Sequence, residues 1–362
     1  MRDKRFSDFM TTKKSKKKIM RIEDRKSSHI DICLKKDVEH KRSAGFENVE
    51  LAYSALPEVD FEEIDSITKI FGKKISFPFY IEAITGGFEK GKRINKELAK
   101  AAEANNIGFA LGSQRAMIEN PKLKDTYYVR DVAPTIPIIG NIGAVNLKEN
   151  GMIKKVESAV KTVDADALAI HLNPLQEIMQ PEGEKNFKGC LDAIREACDV
   201  LDVPIIVKEV GAGINEKVAS ELEKAGASMI NIAGVGGTSW AAVEILRHKS
   251  KIGKKLENFR EWGIPTIKSL YEVRKATKLP IIVSGGVRSG IDLAKGIALG
   301  ASYGSAALPF LKAWNEKKID ETIKQWKNEF QISMFLTGSR NIKELYNKYK
   351  WSCIYEAERE RS

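Results

Sequence analysis

The sequence has little cysteine and little histidine. Its 362 residues include four of each, and no two cysteines stand at the spacing typical of zinc ligands. The histidines at positions 29, 40, 171 and 248 are scattered and form no HExxH motif. We therefore expect reduced, structural thiols and no zinc site.

The chain also lacks long apolar stretches. No segment approaches the roughly 20 consecutive apolar residues that span a bilayer, and the N-terminus has no apolar signal-peptide core. We therefore expect a cytoplasmic protein with no membrane partner. With 43% hydrophobic residues, the chain can form one large domain or two modest ones.

Acidic residues do not balance the basic ones, and the excess of basic residues is concentrated at the N-terminus. The formal net charge is +11, and residues 1–26 carry 11 Lys or Arg against 4 Asp or Glu. A run of like charges usually stays solvated, so we predict a disordered basic tail over residues 1–24 and no nucleic-acid partner. The alternative is a nucleic-acid-binding arm centred on residues 13–18.

From about residue 75, short apolar runs alternate with segments of helical periodicity. Residues 93–105, 215–225 and 290–299 carry apolar residues at helical spacing. Eight βα units over about 250 residues predict a (β/α)8 TIM barrel, an α/β fold whose parallel strands are covered on both faces. The eight runs span residues 77–81, 107–111, 137–141, 167–170, 204–207, 229–232, 280–283 and 303–306.

Three segments depart from this repeat. Residues 27–74 form an N-terminal extension that must pack on the barrel. Residues 239–275 form an insertion after strand six, which is either a mobile lid or a surface excursion. We assign residues 25–340 to one barrel domain, with the barrel proper from about residue 75, and residues 341–362 to a helical C-terminal tail.

Glycine-rich loops follow several predicted strands. Residues 284–290 read Ser-Gly-Gly-Val-Arg-Ser-Gly and precede a helix, as do residues 306–309 after strand eight. Glycines let the backbone approach an anion, a helix N-terminus supplies N–H donors, and Arg288 adds charge. Loops in these places often bind phosphate, so we predict a phosphate-bearing cofactor; tight turns alone are the other explanation. Residues 234–238 and 85–87 are further glycine-rich loops on the same face.

The densest polar segment follows strand four. Residues 171–183 read His-Leu-Asn-Pro-Leu-Gln-Glu-Ile-Met-Gln-Pro-Glu-Gly, and parallel α/β proteins place their chemistry at this end of a strand. Glu177 is the natural Mg2+ ligand, because magnesium favours one or two carboxylates with substrate phosphates. Glu182 and Glu184 compete for that role. Gln176 is neutral and can orient groups or relay a proton.

Lys208 ends strand five, where a lysine among apolar residues is costly unless it is paired or functional. It can form a Schiff base or hold negative charge on a flavin ring. An ion pair with Glu209 or another carboxylate is the structural alternative. Glu209 is a poor partner, because adjacent strand residues face opposite ways.

Other polar side chains supply further candidates. Arg115, with Ser113 and Gln114 beside it, follows strand two and suits bidentate binding of an anion. Asn141 after strand three is either a hydrogen-bond partner or a turn former. The segment Arg25-Lys-Ser-Ser-His29 either clamps a diphosphate or ends the basic tail.

Together these motifs resemble the FMN-dependent type 2 isopentenyl-diphosphate isomerase family. The resemblance covers residues 25 to about 340, and a chance match to the whole ordered set is very improbable. The motifs are Arg25-Lys-x-x-His29, Ile84-Thr-Gly-Gly87, Gly112-Ser-Gln-Arg115, the segment 171–183, Ile206-Val-Lys-Glu209, Gly236-Gly-Thr-Ser-Trp240, Trp262-Gly-Ile-Pro-Thr266, Ser284-Gly-Gly-Val-Arg-Ser-Gly290 and Leu336-Thr-Gly-Ser339.

The resemblance implies FMN at the C-terminal face of the barrel, active in its reduced form and with NAD(P)H as the reductant. The positions that match the family's FMN contacts are Ala83, Ile84, Thr85, Ser113, Asn141, Lys208 and Thr238, and those that match its phosphate contacts are Gly286, Val287, Arg288, Ala307 and Leu308. Ala233 stands where some members place a hydroxyl near the flavin, so a hydrogen bond there is lost.

The resemblance also implies an isoprenoid diphosphate substrate and a homo-oligomer, either a tetramer or an octamer. Glu177 matches the Mg2+ ligand, and Gln176, Lys208 and His171 are the implied catalytic residues. The positions that match substrate contacts are Arg25, Lys26, His29, Ser113, Gln114, Arg115, Asn173 and Gln176.

The implied activity is the interconversion of isopentenyl and dimethylallyl diphosphate in isoprenoid biosynthesis. The double bond shifts by addition and removal of protons, with reduced FMN as acid and base and with Lys208 stabilising the anionic reduced ring. The alternative on the same barrel is an FMN-dependent oxidoreductase, such as a 2-hydroxy acid oxidase. That enzyme needs a base near the flavin from a later loop, for which His248 is the only candidate.

Overall fold

The computed structural model describes residues 22–247 and 256–351. The strands are β1 Val49–Leu51, β2 Thr68–Ile70, β3 Lys73–Ile75, β4 Phe79–Ile81, β5 Gly108–Ala110, β6 Ile138–Gly143, β7 Ala167–His171, β8 Ile205–Lys208, β9 Met229–Asn231, β10 Ile281–Val283, β11 Tyr303–Ala306 and β12 Tyr349–Trp351. Within the described residues, eight parallel strands close into a barrel in the order β10-β11-β4-β5-β6-β7-β8-β9, which confirms the predicted fold. Each predicted apolar run overlaps one of the eight, and β6, β7 and β8 extend beyond the ends of their runs.

Helices surround the barrel. The three segments expected to be helical from their apolar spacing correspond to the helices Glu89–Ala104, Glu216–Lys224 and Gly290–Ala298. No helix in the described part of the chain is long and apolar enough to cross a membrane. The helices are α1 Ile22–Lys35, α2 Glu89–Ala104, α3 Arg115–Glu119, α4 Ala144–Leu147, α5 Met152–Val163, α6 Pro174–Met179, α7 Cys190–Val200, α8 Glu216–Lys224, α9 Trp240–Arg247, α10 Thr266–Ala276, α11 Gly290–Ala298, α12 Leu308–Glu316, α13 Ile319–Leu336 and α14 Ile342–Leu345.

The barrel strands bury apolar side chains on both faces. In β4, Phe79 and Ile81 pack in the layer between the barrel and the helices, whereas Tyr80 packs inside the barrel. This alternation follows from the two-residue repeat of a strand. Ile139 and Ile206 join Tyr80 in the interior. The strands are therefore nearly all apolar until their carboxyl ends.

The hairpin of β2 and β3 covers the amino-terminal end of the barrel. Phe71 at its turn packs against the interior cluster beside Tyr303, the first residue of β11. The Tyr303 hydroxyl donates to the carbonyl of Lys69 at 2.6 Å. With this end closed, the interior is accessible from the carboxyl ends of the strands.

The N-terminal extension packs on the barrel as predicted and reaches its carboxyl-terminal face. Helix α1 contacts α9 and α12, which follow β9 and β11. The next residues attach to the glycine-rich loop after β9, because the His40 N–H donates to the Gly237 carbonyl at 2.9 Å and the Ser239 N–H donates to the Val38 carbonyl at 2.8 Å.

The structure corrects the prediction of a helical C-terminal tail. After the short helix α14, Tyr349–Trp351 forms a strand that pairs antiparallel with Val49–Leu51. The prediction was wrong there because the extension offers this segment an open strand edge, which a reading of local periodicity misses. The structure also corrects the disordered tail predicted over residues 1–24, because residues 22–24 begin helix α1. Residues 1–21, the centre of the possible lid at residues 248–255 and residues 352–362 of the C-terminal tail lie outside the described residues.

A buried ion-pair cluster joins the starts of two barrel strands to the hairpin. The Arg130 guanidinium, 7% exposed, donates to Asp166 Oδ2 at 2.5 Å and to the carbonyls of Ile136 and Asp164 at 2.7 and 2.8 Å. Lys73 Nζ lies 2.8 Å from Asp166 Oδ1. Removing Arg130 would leave Lys73 as the remaining cation beside Asp166 and would take a donor from two carbonyls.

We expect Arg130→Ala to lower the free energy of unfolding by about 2–4 kcal/mol, since two carbonyls lose a donor and Asp166 loses the closer of its two cations. Arg195→Ala is the matched control, because Arg195 forms an exposed pair with Asp192 and its loss costs about 1 kcal/mol or less. Urea unfolding of both variants, prepared in the same way, measures the difference. Equal losses of unfolding free energy in the two variants would show that the buried Arg130 cluster contributes no more than an exposed ion pair.

Candidate active site

A cavity opens at the carboxyl ends of the strands, with helix α1 at its mouth. The ends of all eight barrel strands contribute to its walls. The predicted site residues that line it are Arg25, Lys26, His29, Ala83, Ile84, Thr85, Ser113, Arg115, Asn141, His171, Asn173, Gln176, Glu177, Lys208, Thr238, Gly286, Val287, Arg288, Ala307 and Leu308.

Gln114 is the predicted site residue that does not line the cavity. Its side chain is buried in the fold, where Oε1 accepts from the Asn141 N–H at 3.0 Å and Nε2 donates to the Ala159 carbonyl at 3.2 Å. Both amide ends are therefore engaged, one by Asn141 of β6 and the other by Ala159 of α5, and the contact of Gln114 with substrate stays a prediction. Gln114 fixes the position of Asn141.

Helix α1 brings Arg25 and His29 to the cavity. Arg25 Nη1 donates to Gln180 Oε1 at 3.0 Å, and His29 Nε2 lies 2.9 Å from Glu244 Oε1 on α9. Burial alone would raise the pKa of Glu244, but its hydrogen bond with His29 and the charges of His29 and Arg247 outweigh burial and lower it. Glu244 is therefore an ionised carboxylate that anchors α1.

Lys26 on the same helix projects into a largely buried position. Its Nζ donates to the Ser113 carbonyl and to the Tyr127 hydroxyl, both at 2.7 Å. Burial and the neighbouring charge of Arg25 lower the pKa of Lys26 to about 7, against a smaller opposing effect of Glu119. This amine consequently changes its charge near neutral pH, within reach of an anionic ligand.

His171 and Asn141 form a pair at the ends of β7 and β6. His171 Nδ1 lies 2.7 Å from Asn141 Oδ1. Burial, followed by the charges of Lys208 and Lys26, lowers the pKa of His171 to about 3. The imidazole is therefore neutral, its Nδ1–H donates to Asn141, and Nε2 keeps a lone pair. His171 can accept a hydrogen bond, but it cannot serve as an imidazolium acid near neutral pH.

The short helix α6 presents Gln176 and Glu177 directly after β7. Asn173 Nδ2 donates to Gln176 Oε1 at 3.2 Å and to Glu177 Oε1 at 3.0 Å. The Glu184 N–H donates to Glu177 Oε2 at 2.7 Å. The buried Asn173 Oδ1 has no hydrogen-bond partner among the described residues and lies in the cavity wall, so it is available to a ligand.

Of the three carboxylates considered for a metal, Glu177 is the one that lines the cavity. Glu182 is engaged by cations, because its Oε1 lies 2.7 Å from Arg247 Nη2 and 3.9 Å from Arg25 Nη1. Glu184 accepts from the Asn186 N–H at 2.7 Å. The described residues contain no group of three His, Cys, Asp or Glu that could hold a metal ion by themselves, so Mg2+ at Glu177 needs ligand phosphates and water.

Lys208 ends β8 beside a carboxylate that the sequence reading missed. Its Nζ lies 3.8 Å from Glu82 Oε1 and donates to the Glu209 carbonyl at 3.0 Å. The Glu209 carboxylate turns away and accepts the three N–H groups of residues 210–212 at 2.5–2.7 Å. The expectation that Glu209 is a poor partner for Lys208 is thus confirmed. Glu82 was detectable, because it is a charged residue directly after an apolar strand, as Lys208 is.

Glu82 is buried in a polar network at the floor of the cavity. Its Oε2 accepts from the Tyr80 hydroxyl at 3.1 Å, from Asn231 Nδ2 at 2.6 Å and from the Ser305 hydroxyl at 3.0 Å. The Ala83 N–H donates to Oε1 at 2.8 Å. Four donors compensate the loss of hydration, so a buried carboxylate charge is tolerated beside Lys208.

The glycine loops after β9 and β10 pack backbone against backbone. A Cβ on Gly237 would lie 2.6 Å from the Gly286 nitrogen, and one on Gly286 would lie 2.6 Å from the Ala44 Cβ. Gly286 also has a φ of 77°, which favours glycine. The glycines thus allow the two loops to pack closely, and both loops line the cavity next to the starts of α11 and α12. We call this wall the glycine cradle; it lies where the phosphate prediction places the anion.

Arg288 lies at this cradle and is held by the extension. Its Nε donates to Glu39 Oε1 at 3.1 Å, and Lys312 Nζ donates to Glu39 Oε2 at 2.8 Å. Arg288 lines the cavity and Lys312 does not, so a phosphate there would meet the Arg288 guanidinium, which Glu39 orients.

Ala233 also lines the cavity, with a φ of 38° that is unusual for a residue other than glycine.

Comparison with known proteins gives close relatives over most of the chain. The family model of FMN-dependent dehydrogenases matches residues 139–352. The isopentenyl-diphosphate delta-isomerase of Pyrococcus furiosus is 48% identical over 332 residues, which cover 89% of this chain and 84% of that protein. The enzyme of the same name from Methanosarcina barkeri is 46% identical over 331 residues, covering 89% and 90%.

Solved structures of lower identity share the fold. A mandelate oxidase variant with 4-Br-2-hydroxy-methylphenylacetate has a TM-score of 0.63 at 16% identity, over 89% of this chain and 95% of that chain. A flavocytochrome b2 variant with benzoylformate has a TM-score of 0.62 at 18% identity, over 85% and 76%. At such identities the likeness shows the barrel architecture alone.

The neutral state of His171 predicts a specific pH dependence of stability. Its pKa is lower in the folded chain than the ordinary value of about 6.5, so the unfolded chain binds the extra proton and stability falls as the pH drops below about 6.5. We expect wild type to lose about 2 kcal/mol more than His171→Asn between pH 7.5 and 5. Asparagine keeps a donor for Asn141 without titrating. Urea unfolding at the two pH values measures the difference. If wild type and His171→Asn lose the same unfolding free energy between pH 7.5 and 5, the neutral state of His171 is contradicted.

Proposed function

The chain belongs to the isopentenyl-diphosphate delta-isomerase family, within the FMN-dependent dehydrogenases, and we propose how its residues perform that reaction. The enzyme interconverts isopentenyl diphosphate and dimethylallyl diphosphate, as part of isoprenoid biosynthesis. The observation that carries the proposal is the convergence of the α1 cations, the Glu177 carboxylate, Lys208 and the glycine cradle on one cavity.

FMN fits the cavity floor and the cradle. The loops around Gly237 and Gly286, with Arg288, would hold the phosphate, and Lys208 would face the ring with its positive charge oriented by Glu82. When bound, reduced FMN supplies the acid and base for the shift of the double bond. Lys208 would stabilise negative charge on the reduced ring electrostatically. NAD(P)H is the proposed reductant.

The protein can bind the substrate through charges and hydrogen bonds only at its diphosphate, because the reacting end is hydrocarbon. Arg25, Lys26 and His29 lie at the mouth of the cavity and would bind the phosphates with Mg2+ carried by Glu177. Asn173 and Gln176, joined by a hydrogen bond, would orient the ligand. These contacts contribute positioning, which lowers the entropic part of the barrier.

The described residues favour isomerisation over oxidation of a 2-hydroxy acid. Such an oxidation needs a histidine or a similar base near the flavin. In the cavity, burial and cationic neighbours make His171 a very weak base, and His29 is paired with Glu244. His248, the candidate base of the alternative, lies outside the described residues.

We also propose that the protein is cytoplasmic and forms a homo-oligomer, either a tetramer or an octamer.

The first experiment is an absorbance titration of the purified protein with FMN, followed by anaerobic reduction and addition of isopentenyl diphosphate with Mg2+. We expect flavin binding and formation of dimethylallyl diphosphate without net flavin oxidation. Flavin binding with no isomerisation would favour the oxidoreductase. Absence of flavin binding would contradict the assignment of the whole site.

We expect Glu177→Gln to lower kcat/KM by about 100-fold or more and to weaken the activation by Mg2+, because a neutral amide is a poor magnesium ligand. Glu184→Gln is the matched control, since its side chain does not line the cavity. Initial rates across a Mg2+ titration measure both variants. A Glu177→Gln enzyme with the wild-type Mg2+ dependence would exclude this carboxylate as the ligand.

A further inference from the structure

Tyr127 is a fully buried residue that neither the sequence motifs nor the proposed mechanism uses. It follows the short helical turn after α3 and makes one polar junction. Its hydroxyl accepts from Lys26 Nζ at 2.7 Å and donates to the Ser113 carbonyl at 2.8 Å. Lys26 Nζ also donates directly to Ser113. The hydroxyl therefore completes a closed triangle of hydrogen bonds around the amine of Lys26.

The surrounding backbone leaves room for this junction. A Cβ on Gly87 would lie 2.9 Å from the Tyr127 hydroxyl oxygen and 3.6 Å from Lys26 Nζ. Gly87 has a φ of 87°, which only glycine adopts easily. Its N–H donates to the Thr126 hydroxyl at 2.8 Å. The loop after β4 is thus shaped to admit the amine and the hydroxyl together.

The hydroxyl, not the face of the ring, is the part of Tyr127 that binds the amine. Lys26 Nζ lies 2.7 Å from the hydroxyl oxygen and 5.2 Å from the ring centroid, so it sits beyond the hydroxyl edge of the ring. The ring packs in the main core, so phenylalanine at this position keeps the packing. The oxygen atom can therefore be removed as an isolated change.

We propose that Tyr127 is a positioning residue that holds the Lys26 ammonium for the substrate diphosphate and so sets the pH range of substrate binding. The inference rests on the proposed function, since it takes an isoprenoid diphosphate as the ligand of Lys26. Tyr127 itself does not line the cavity. It acts through the lysine that does.

The sign of the pH effect follows from the charges around Lys26. The ionisable groups that face it are Arg25 on the same helix, Glu119 on α3, Tyr127 and His171. Burial and Arg25 lower the pKa of Lys26 to about 7, so its ammonium form disappears as the pH rises through neutrality. A diphosphate binds the ammonium form, and binding therefore takes up a proton. Loss of the Tyr127 acceptor destabilises the ammonium further.

The test compares Tyr127→Phe with Tyr128→Phe, the exposed neighbour, in the FMN-loaded enzyme with Mg2+. At pH 7 we expect Tyr127→Phe to raise the KM for isopentenyl diphosphate about tenfold, with kcat within about twofold of wild type. The alkaline limb of kcat/KM should move about one pH unit lower. The inhibition constant of inorganic diphosphate should rise with KM, whereas Tyr128→Phe should resemble wild type.

Several outcomes would overturn the proposal. A wild-type KM and alkaline limb in Tyr127→Phe would do so, as would a fall in kcat at unchanged KM, which is the mark of a structural defect elsewhere. If Tyr127→Phe does not fold, calorimetry of wild type and Lys26→Gln with inorganic diphosphate, in buffers of different ionisation enthalpy at pH 7.5, decides the matter. Equal proton uptake by the two would exclude Lys26 as the titrating group. A wild-type enzyme without isomerase activity would instead refute the proposed function.

Discussion

Closure of eight parallel strands into a ring is the constraint on which the rest of this structure depends. Each strand runs the same way, so eight carboxyl ends meet at one rim. The hairpin of β2 and β3 covers the other end with Phe71, so polar side chains concentrate at the open end. Residues as distant in sequence as Glu82 and Ser305 thereby become hydrogen-bond partners. The cavity is a consequence of the closure.

Charge burial is the cost of that arrangement, and the chain compensates it by pairing charges across elements. Glu82 accepts four hydrogen bonds beside Lys208, and Glu244 is paired with His29 and Arg247. The pairs Glu82–Lys208 and Glu244–His29 each join two segments, so the same contacts also fix the geometry of the site. Helix α1 is held over the cavity in this way, although it precedes the barrel by more than forty residues. The same interactions therefore compensate the buried charges and hold the segments of the site together.

The sequence predicted the positions of all eight barrel strands, because strands buried on both faces are apolar runs bounded by polar residues. The same reasoning placed Lys208, Asn141 and the segment after β7 at the open end. It did not reveal that the Gln114 amide turns inward, and it was wrong at Tyr349–Trp351, which pairs with the distant Val49–Leu51. Both features involve partners far away in sequence, which local periodicity cannot reveal.

The sequence by itself therefore determined the architecture, the family and most of the residues that line the cavity. These follow from periodicity, from glycines at strand ends and from ordered motifs, all of which are local properties. Only the tertiary structure decided the charge states and pairings, such as a neutral His171, a Glu82 beside Lys208 and a Lys26 held by Tyr127. The reason is physical, since burial and through-space distance set a side chain's protonation and partners, and neither quantity is written along the chain.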